Sequence, residues 1–236
     1  MSQGTSKKPI AESKGCAERR EEILDAATRL FAAHGFANAD TQRLADELGV
    51  GKGTLYRYFP SKRDLFLAAA DRVMLRLRDR IDASTEGVDD PLEQITKAVG
   101  AYLDFFGEHS EYVELLTQER AQFKDRETPT YFVHREKSVQ RWRDLYRSLI
   151  AEGRVRDIPV RRITDVVLAA MYGSMTLKYF SGRPETFATS AEDILDVVFF
   201  GILTRSERQN HGMDQEETSG PGVHPHDIDQ LTSPTP

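Results

Sequence analysis

Residues 23–66 read ILDAATRLFAAHGFANADTQRLADELGVGKGTLYRYFPSKRDLF, and this stretch decides the fold. Ile23, Ala27, Leu30, Phe31 and His34 fall on one helical stripe, and Gly35 is placed to cap its C-terminal end. Asp40 can N-cap a second helix whose apolar face is Leu44, Ala45 and Leu48. Gly49-Val50-Gly51 breaks that helix, and the pattern predicts a third from about Lys52 to Tyr58, with Leu55 and Phe59 facing inward. Ser61 followed by Asp64 is an S-x-x-D capping box. It opens a long helix that buries Leu65, Phe66, Ala69, Val73, Leu77 and Ile81. Helices two and three with their short turn make a helix-turn-helix. The turn needs a residue without Cβ hindrance after helix two, which Gly49 supplies, while Val50 plugs the gap between the helices.

The rest of the chain is helical in pattern as well. Pro91 after Asp90 starts a fifth helix, Ser110 a sixth and Pro129 after Thr128 a seventh. An eighth carries Ile163, Val166, Ala170, Ser174 and Leu177, and a ninth, from near Ser190, carries Ile194, Val198 and Ile202. No segment alternates with period two for long, so the fold class is all-α with about nine helices. The expected organisation is a disordered polar arm over 1–17, a helix-turn-helix domain over 18–62, a helical body over 63–206 and a disordered acidic tail over 207–236. The tail holds four of the ten prolines. Its His224 and His226 lack a third ligand and are read as solvated.

Composition narrows the function. The chain has 236 residues, 39% apolar and 30% charged, long enough for a sizeable core. No apolar run approaches the roughly 18–20 residues that span a bilayer, and no secretory signal opens the chain. A single cysteine, Cys16, and the absence of Cys/His zinc spacing suit a reducing cytoplasmic setting with no metal and no cofactor. The net charge of −6 is unevenly spread. Residues 1–85 hold 15 Lys/Arg against 12 Asp/Glu, while 86–236 hold 17 against 26. That split is compatible with a nucleic-acid module on an acidic body. No H-E-x-x-H, G-x-S-x-G or dinucleotide fingerprint argues for an enzyme. A P-loop fails on spacing, because Asp46 stands where the first glycine belongs and Gly53 follows Lys52.

Helix three presents Lys52, Thr54, Tyr56, Arg57 and Tyr58 outward: two cations, two phenols and a hydroxyl. Such groups contact phosphates and read base edges in the major groove. From about Arg20 to Val73 the sequence resembles the DNA-binding domain of TetR/AcrR-type transcriptional regulators. The A-x-x-L-F-x-x-x-G-F end of helix one, the L-A-x-x-L-G-V turn, the G-T-L-Y-x-Y-F helix and the S-K-x-x-L-F start of helix four all agree. The resemblance implies DNA contacts for Thr41, Gln42, Arg43, Lys52, Gly53, Thr54, Tyr56, Arg57, Tyr58 and Lys62. Thr41 and Lys62 match phosphate-binding positions, and Gln42 a base-reading one. Gly51 stands where a serine is common and Arg43 where an acid is common.

For the body, the resemblance implies dimerisation and a small-molecule pocket. The residues suggest compatible surfaces. An aromatic set with interleaved polar groups proposes Tyr102, Phe105, Phe106, Tyr112, Glu119, Phe123, His134, Trp142 and Tyr146 as pocket residues for a largely apolar effector. The ninth helix is apolar around most of its circumference, so one side is expected to meet a second copy. Ala170, Ser174, Leu177, Ile194, Val198 and Ile202 are the candidate interface. The expected function is that of a ligand-responsive repressor binding a palindromic double-stranded DNA operator as a homodimer.

Overall fold

The computed structural model describes residues 14–181 and 191–210. They form α1 (Lys14–Asn38), α2 (Thr41–Glu47), α3 (Lys52–Tyr58), α4 (Lys62–Thr85), α5 (Pro91–Glu108), α6 (Ser110–Gln122), α7 (Thr130–Ala151), α8 (Val160–Ser181), α9 (Ala191–Ile202) and α10 (Arg205–Asn210). The only extended pairing among the described residues is an isolated bridge between Val155 and Leu203. The fold is all-α.

Local chemistry sets most of the boundaries. Gly35 sits at φ 72°, a left-handed position that kinks α1 and turns Phe36–Asn38 toward α2. Asp40 accepts from the Gln42 N–H, and Asp90 from the Glu93 N–H. At α4, the Asp64 N–H donates to Ser61 Oγ at 3.1 Å, and that hydroxyl donates to the Asp64 carboxylate at 2.7 Å. Pro129 precedes α7 without a capping side chain, and the acceptor comes instead from α6. There the buried Glu119 carboxylate takes the Thr130 N–H at 2.9 Å and the Thr130 hydroxyl at 3.0 Å. A negative group at a helix N-terminus is favourable in itself.

Two expectations shift. Residues 14–17, assigned to the polar arm, are the first turn of α1. Residues 207–210, assigned to the tail, belong to a tenth helix that the sequence pattern did not reveal. That helix is held by Glu207, which is buried and pairs with Arg154 at 2.9 Å, while Arg154 also reaches Asp90 at 2.8 Å. Residues 1–13 and 211–236, with His224 and His226, lie outside the described residues. Among the described residues no helix is long and apolar enough to cross a membrane.

One continuous core runs from Ile23 to Leu203 and crosses from the N-terminal helices into the body. Phe31, Phe36 and Phe66 meet Phe123 of the α6 end in a cluster with ring centroids 4.9–6.0 Å apart. Beside it the Gln118 side chain accepts from the Phe36 N–H and donates to the Phe31 carbonyl, both at 3.1 Å, so α6 holds the end of α1. Charged groups secure the other end of this seam. Arg72 is only 5% exposed, 2.7 Å from Asp25 and 3.3 Å from Glu21, and Arg76 reaches Asp25 at 3.0 Å. Burial by itself raises the Asp25 pKa, but its bonds to Arg72 and Arg76 outweigh that and hold the carboxyl below its ordinary value.

Candidate nucleic-acid interface

The helix-turn-helix is assembled from few anchors. Leu44 and Ala45 of α2 and Leu55 of α3 are fully buried, and Phe59 closes α3. Gly49 adopts φ 62°, and its N–H bonds the Asp46 carbonyl while the Val50 N–H returns to Ala45. A methyl group on Gly49 would meet nothing within 4 Å, so the backbone angle and not space requires glycine there. With Leu55 inward, the opposite side of α3 is open.

On that side Lys52, Gly53 and Arg57 are exposed, and so are Gln42 and Arg43 on α2. Thr54, Tyr56 and Tyr58 are half-buried. Arg57 lies 5.8 Å from the Tyr58 ring centre. Contact with the Cys16 thiol of α1 raises the Tyr58 pKa above that of an ordinary phenol, and burial adds to the effect. Thus one cation pair and two phenols share a face whose backbone is held by the turn. This arrangement can bond phosphates through Lys52 and base edges through Arg57.

Three of the expected contacts are placed differently from the others. Thr41 is buried, and its hydroxyl is 3.0 Å from the Tyr56 hydroxyl, so it orients Tyr56 instead of facing outward. The Gln42 amide donates to Asp46 at 2.8 Å, which leaves its carbonyl oxygen for a base. Lys62 donates to the Ala37 carbonyl at 3.1 Å and lies 5.0 Å from the Phe36 ring centre. Its ammonium is turned onto the α1–α2 link with donors to spare.

In the body, a cavity of about 420 Å³ opens between α4, α5, α7 and α8. Of the nine expected pocket residues, Tyr102, His134 and Trp142 line it. Trp142 also borders a smaller apolar chamber of about 60 Å³, which Tyr146 walls. Tyr102 and Tyr131 pair their hydroxyls at 2.9 Å inside the protein. Burial raises both pKa values, that of Tyr131 to about 12. The other five residues do other work. Phe123 belongs to the aromatic cluster under the reading head, and Glu119 caps α7. Phe105 packs on Phe106, Tyr112 and His109, and the Tyr112 hydroxyl accepts from Arg76. Their aromatic character mistook core for cavity. Conversely Arg78, Arg135, Lys137 and Arg141 border the cavity, and nothing in the sequence pattern singled them out.

The candidate dimer residues divide in the same way. Ile194, Val198 and Ile202 are buried in the protomer's own core, so they are not available to a second chain. Leu177 is 53% exposed, Ala170 and Ser174 partly so. The apolar residues left uncovered on the paired helices are Val166, Tyr172, Leu177 and Phe180 on α8, with Val197 and Phe200 on α9. Helical rotation, not composition, decides which side of α9 faces inward.

A helix-turn-helix head fused to a helical body with an internal cavity is the architecture of a bacterial one-component regulator. Comparison with known proteins agrees. The profile described as "Bacterial regulatory proteins, tetR family" matches residues 23–69, and the one described as "Tetracyclin repressor-like, C-terminal domain" matches residues 88–176. The chain belongs to the tetR family of bacterial regulatory proteins. It is similar to the HTH-type transcriptional regulator YerO of Bacillus subtilis, 28% identical over 170 residues, covering 70% of this chain and 58% of YerO. It is also similar to the nucleoid occlusion factor SlmA of Haemophilus influenzae, 31% identical over 118 residues, covering 50% of this chain and 54% of SlmA. The chain thus spans between about half and three-fifths of the length of these relatives. Among solved structures, a TetR-like regulator from Rhodococcus sp. RHA1 superposes with a TM-score of 0.61 at 21% identity, over 78% of this chain and 96% of that one. The ketosteroid transcriptional regulator KstR2 of Mycobacterium tuberculosis gives 0.56 at 22% identity, over 79% of this chain and 95% of that one. These two share the fold.

Proposed function

We propose that this protein is a ligand-responsive transcriptional repressor that binds a palindromic DNA operator as a homodimer in the cytoplasm. The observation that carries this reading is the open face of α3, where Lys52 and Arg57 are exposed on a helix held by Leu55 and the Gly49 turn. Each protomer would insert α3 into the major groove of one half-site. The uncovered apolar residues of α8 and α9 support assembly of two copies through those helices. Family membership supports a binding protein and not a catalyst.

Release by ligand follows from connectivity. Helix α4 carries Met74, Leu77 and Arg78 at the cavity, and its N-terminus directly follows α3. A molecule that fits the cavity only in one orientation of α4 biases the reading heads by its difference in affinity between the two states, and no more.

The test is in vitro selection of DNA from a random pool. Recovery of an inverted repeat bound by two copies of the chain is the expected result. Lys52→Ala should weaken all sequences alike and lower the salt slope by about one unit. No enrichment, or binding unchanged by Lys52→Ala together with Arg57→Ala, removes α3 as the reading head.

A further inference from the structure

The body cavity has two unlike parts. The outer part, about 420 Å³, is within the roughly 300–1,000 Å³ of ordinary ligand sites, and is bordered by Arg78, Arg135, Lys137 and Arg141 against a single carboxylate, Asp82. Asp82 is already held by Arg141 at 2.6 Å. Arg135 and Lys137 have no carboxylate partner among the described residues. The inner part, about 60 Å³, is walled by aliphatic side chains from α4, α5, α7 and α8. The two parts share Ile81, Val139, Trp142, Leu168 and Met171 as common wall. Tyr146 lines the inner part, is 2% exposed, and its hydroxyl has no hydrogen-bond partner among the described residues. A buried hydroxyl in that state is disfavoured unless a further group meets it.

We infer that this cavity takes an anionic amphiphile. Its acidic head lies at Arg135 and Lys137, its apolar body runs past Trp142, and an oxygen acceptor at the deep end takes the Tyr146 proton in a hydrogen bond. The inference rests on the ligand-responsive reading above and names the chemical class of the ligand. Charge selects the head because the rim carries excess positive charge beside a low-polarity wall. The deep hydroxyl selects the far end because only an acceptor satisfies it.

Trp142 borders both parts and is the sole tryptophan, so its fluorescence reports occupancy. The full chain is titrated with decanoate, decanol, decyltrimethylammonium and 10-hydroxydecanoate. Decanoate should bind saturably and at least about tenfold tighter than the neutral and cationic probes. The double variant Arg135→Ala/Lys137→Ala should lose about tenfold for decanoate and leave decanol unchanged. Tyr146→Phe keeps the ring and the packing, and removes only the unpartnered hydroxyl. It should weaken 10-hydroxydecanoate by about three- to tenfold and leave decanoate unchanged. Equal binding of decanol and decanoate, tighter binding of the cation, or an unaltered double variant overturns the anionic head. A Tyr146→Phe variant with no selective loss of the hydroxy acid overturns the deep acceptor. Affinity for the selected operator is followed in parallel. Decanoate bound as expected with DNA affinity unmoved supports the ligand class and breaks the sensor reading. Release of DNA by the neutral probe alone does the reverse.

Discussion

Helices α2 and α3 hold seven residues each, whereas α7 and α8 hold 22 each. The short pair is too short to persist alone. It is fixed by a few buried side chains, Thr41, Leu44, Ala45 and Leu55, and its other residues are exposed or half-buried. A residue there that is not an anchor is available for binding, so the binding face is what remains. The long pair differs. Its helices pack against several neighbours at once, and the same kind of residue is core on one side, cavity wall on another and uncovered on a third. Tyr146 is buried, Trp142 borders the cavity, and Phe180 is 65% exposed. Function is therefore read from residue type in the head and from rotation about the helix axis in the body.

The sharpest way to break that contrast is to place a charge on each side of the α8–α9 layer. Val198→Asp buries a carboxylate in the protomer core and should unfold the chain, seen as loss of the thermal transition. Leu177→Asp lies on the uncovered side and should keep the melting temperature of the protomer while light scattering falls from twice 26.7 kDa to 26.7 kDa. If both variants behave alike, the two sides are not distinct.

The seam between head and body should show the next effect. Phe66 packs against Phe31 at 5.0 Å, Phe36 at 5.5 Å and Phe123 at 5.3 Å. Phe66→Ala should cost about 3–5 kcal/mol in denaturant unfolding, through one cooperative transition. Two separate transitions would mean that the head and body do not share a core.

Within the head, Arg57→Ala should cost about 1–3 kcal/mol on the selected site and less on random DNA, with unfolding unchanged. Equal loss on both would make Arg57 a phosphate contact. At the seam, pH gives the smallest expected change. The Asp25 carboxyl is held below its ordinary value, so its contribution to stability is fully present above the unfolded-state pKa of about 4. It is lost as the pH falls through the folded-state value. The melting temperature of the parent should therefore drop more steeply below about pH 4 than that of Asp25→Asn. Parallel curves would mean that Arg72 and Arg76 do not favour the charged form of Asp25.

Much of the head was legible because its signals act within one turn of chain. Asp40 and Ser61 cap the helix that follows each of them, and Gly49 takes the left-handed angle its turn needs. Lys52 to Tyr58 form the expected helix with Leu55 inward. Even there, two contacts depended on distant neighbours: Thr41 meets Tyr56 fifteen positions away, and Lys62 folds back onto Ala37.

For the body, the sequence by itself determined helical class, most helix starts and the apolar supply. Tertiary structure decided the rest. It turned Ile194, Val198 and Ile202 inward and left Val197 and Phe200 uncovered. It drew Arg135 and Lys137 to the rim of a cavity that Phe105 and Phe106 do not line. It built α10 on the contact of Glu207 with Arg154, 53 residues away. The physical reason is range. A cap or a glycine turn is satisfied by atoms a few residues off, whereas the inward side of a helix, the wall of a cavity and a long-range ion pair are set by elements that sequence spacing does not bring together.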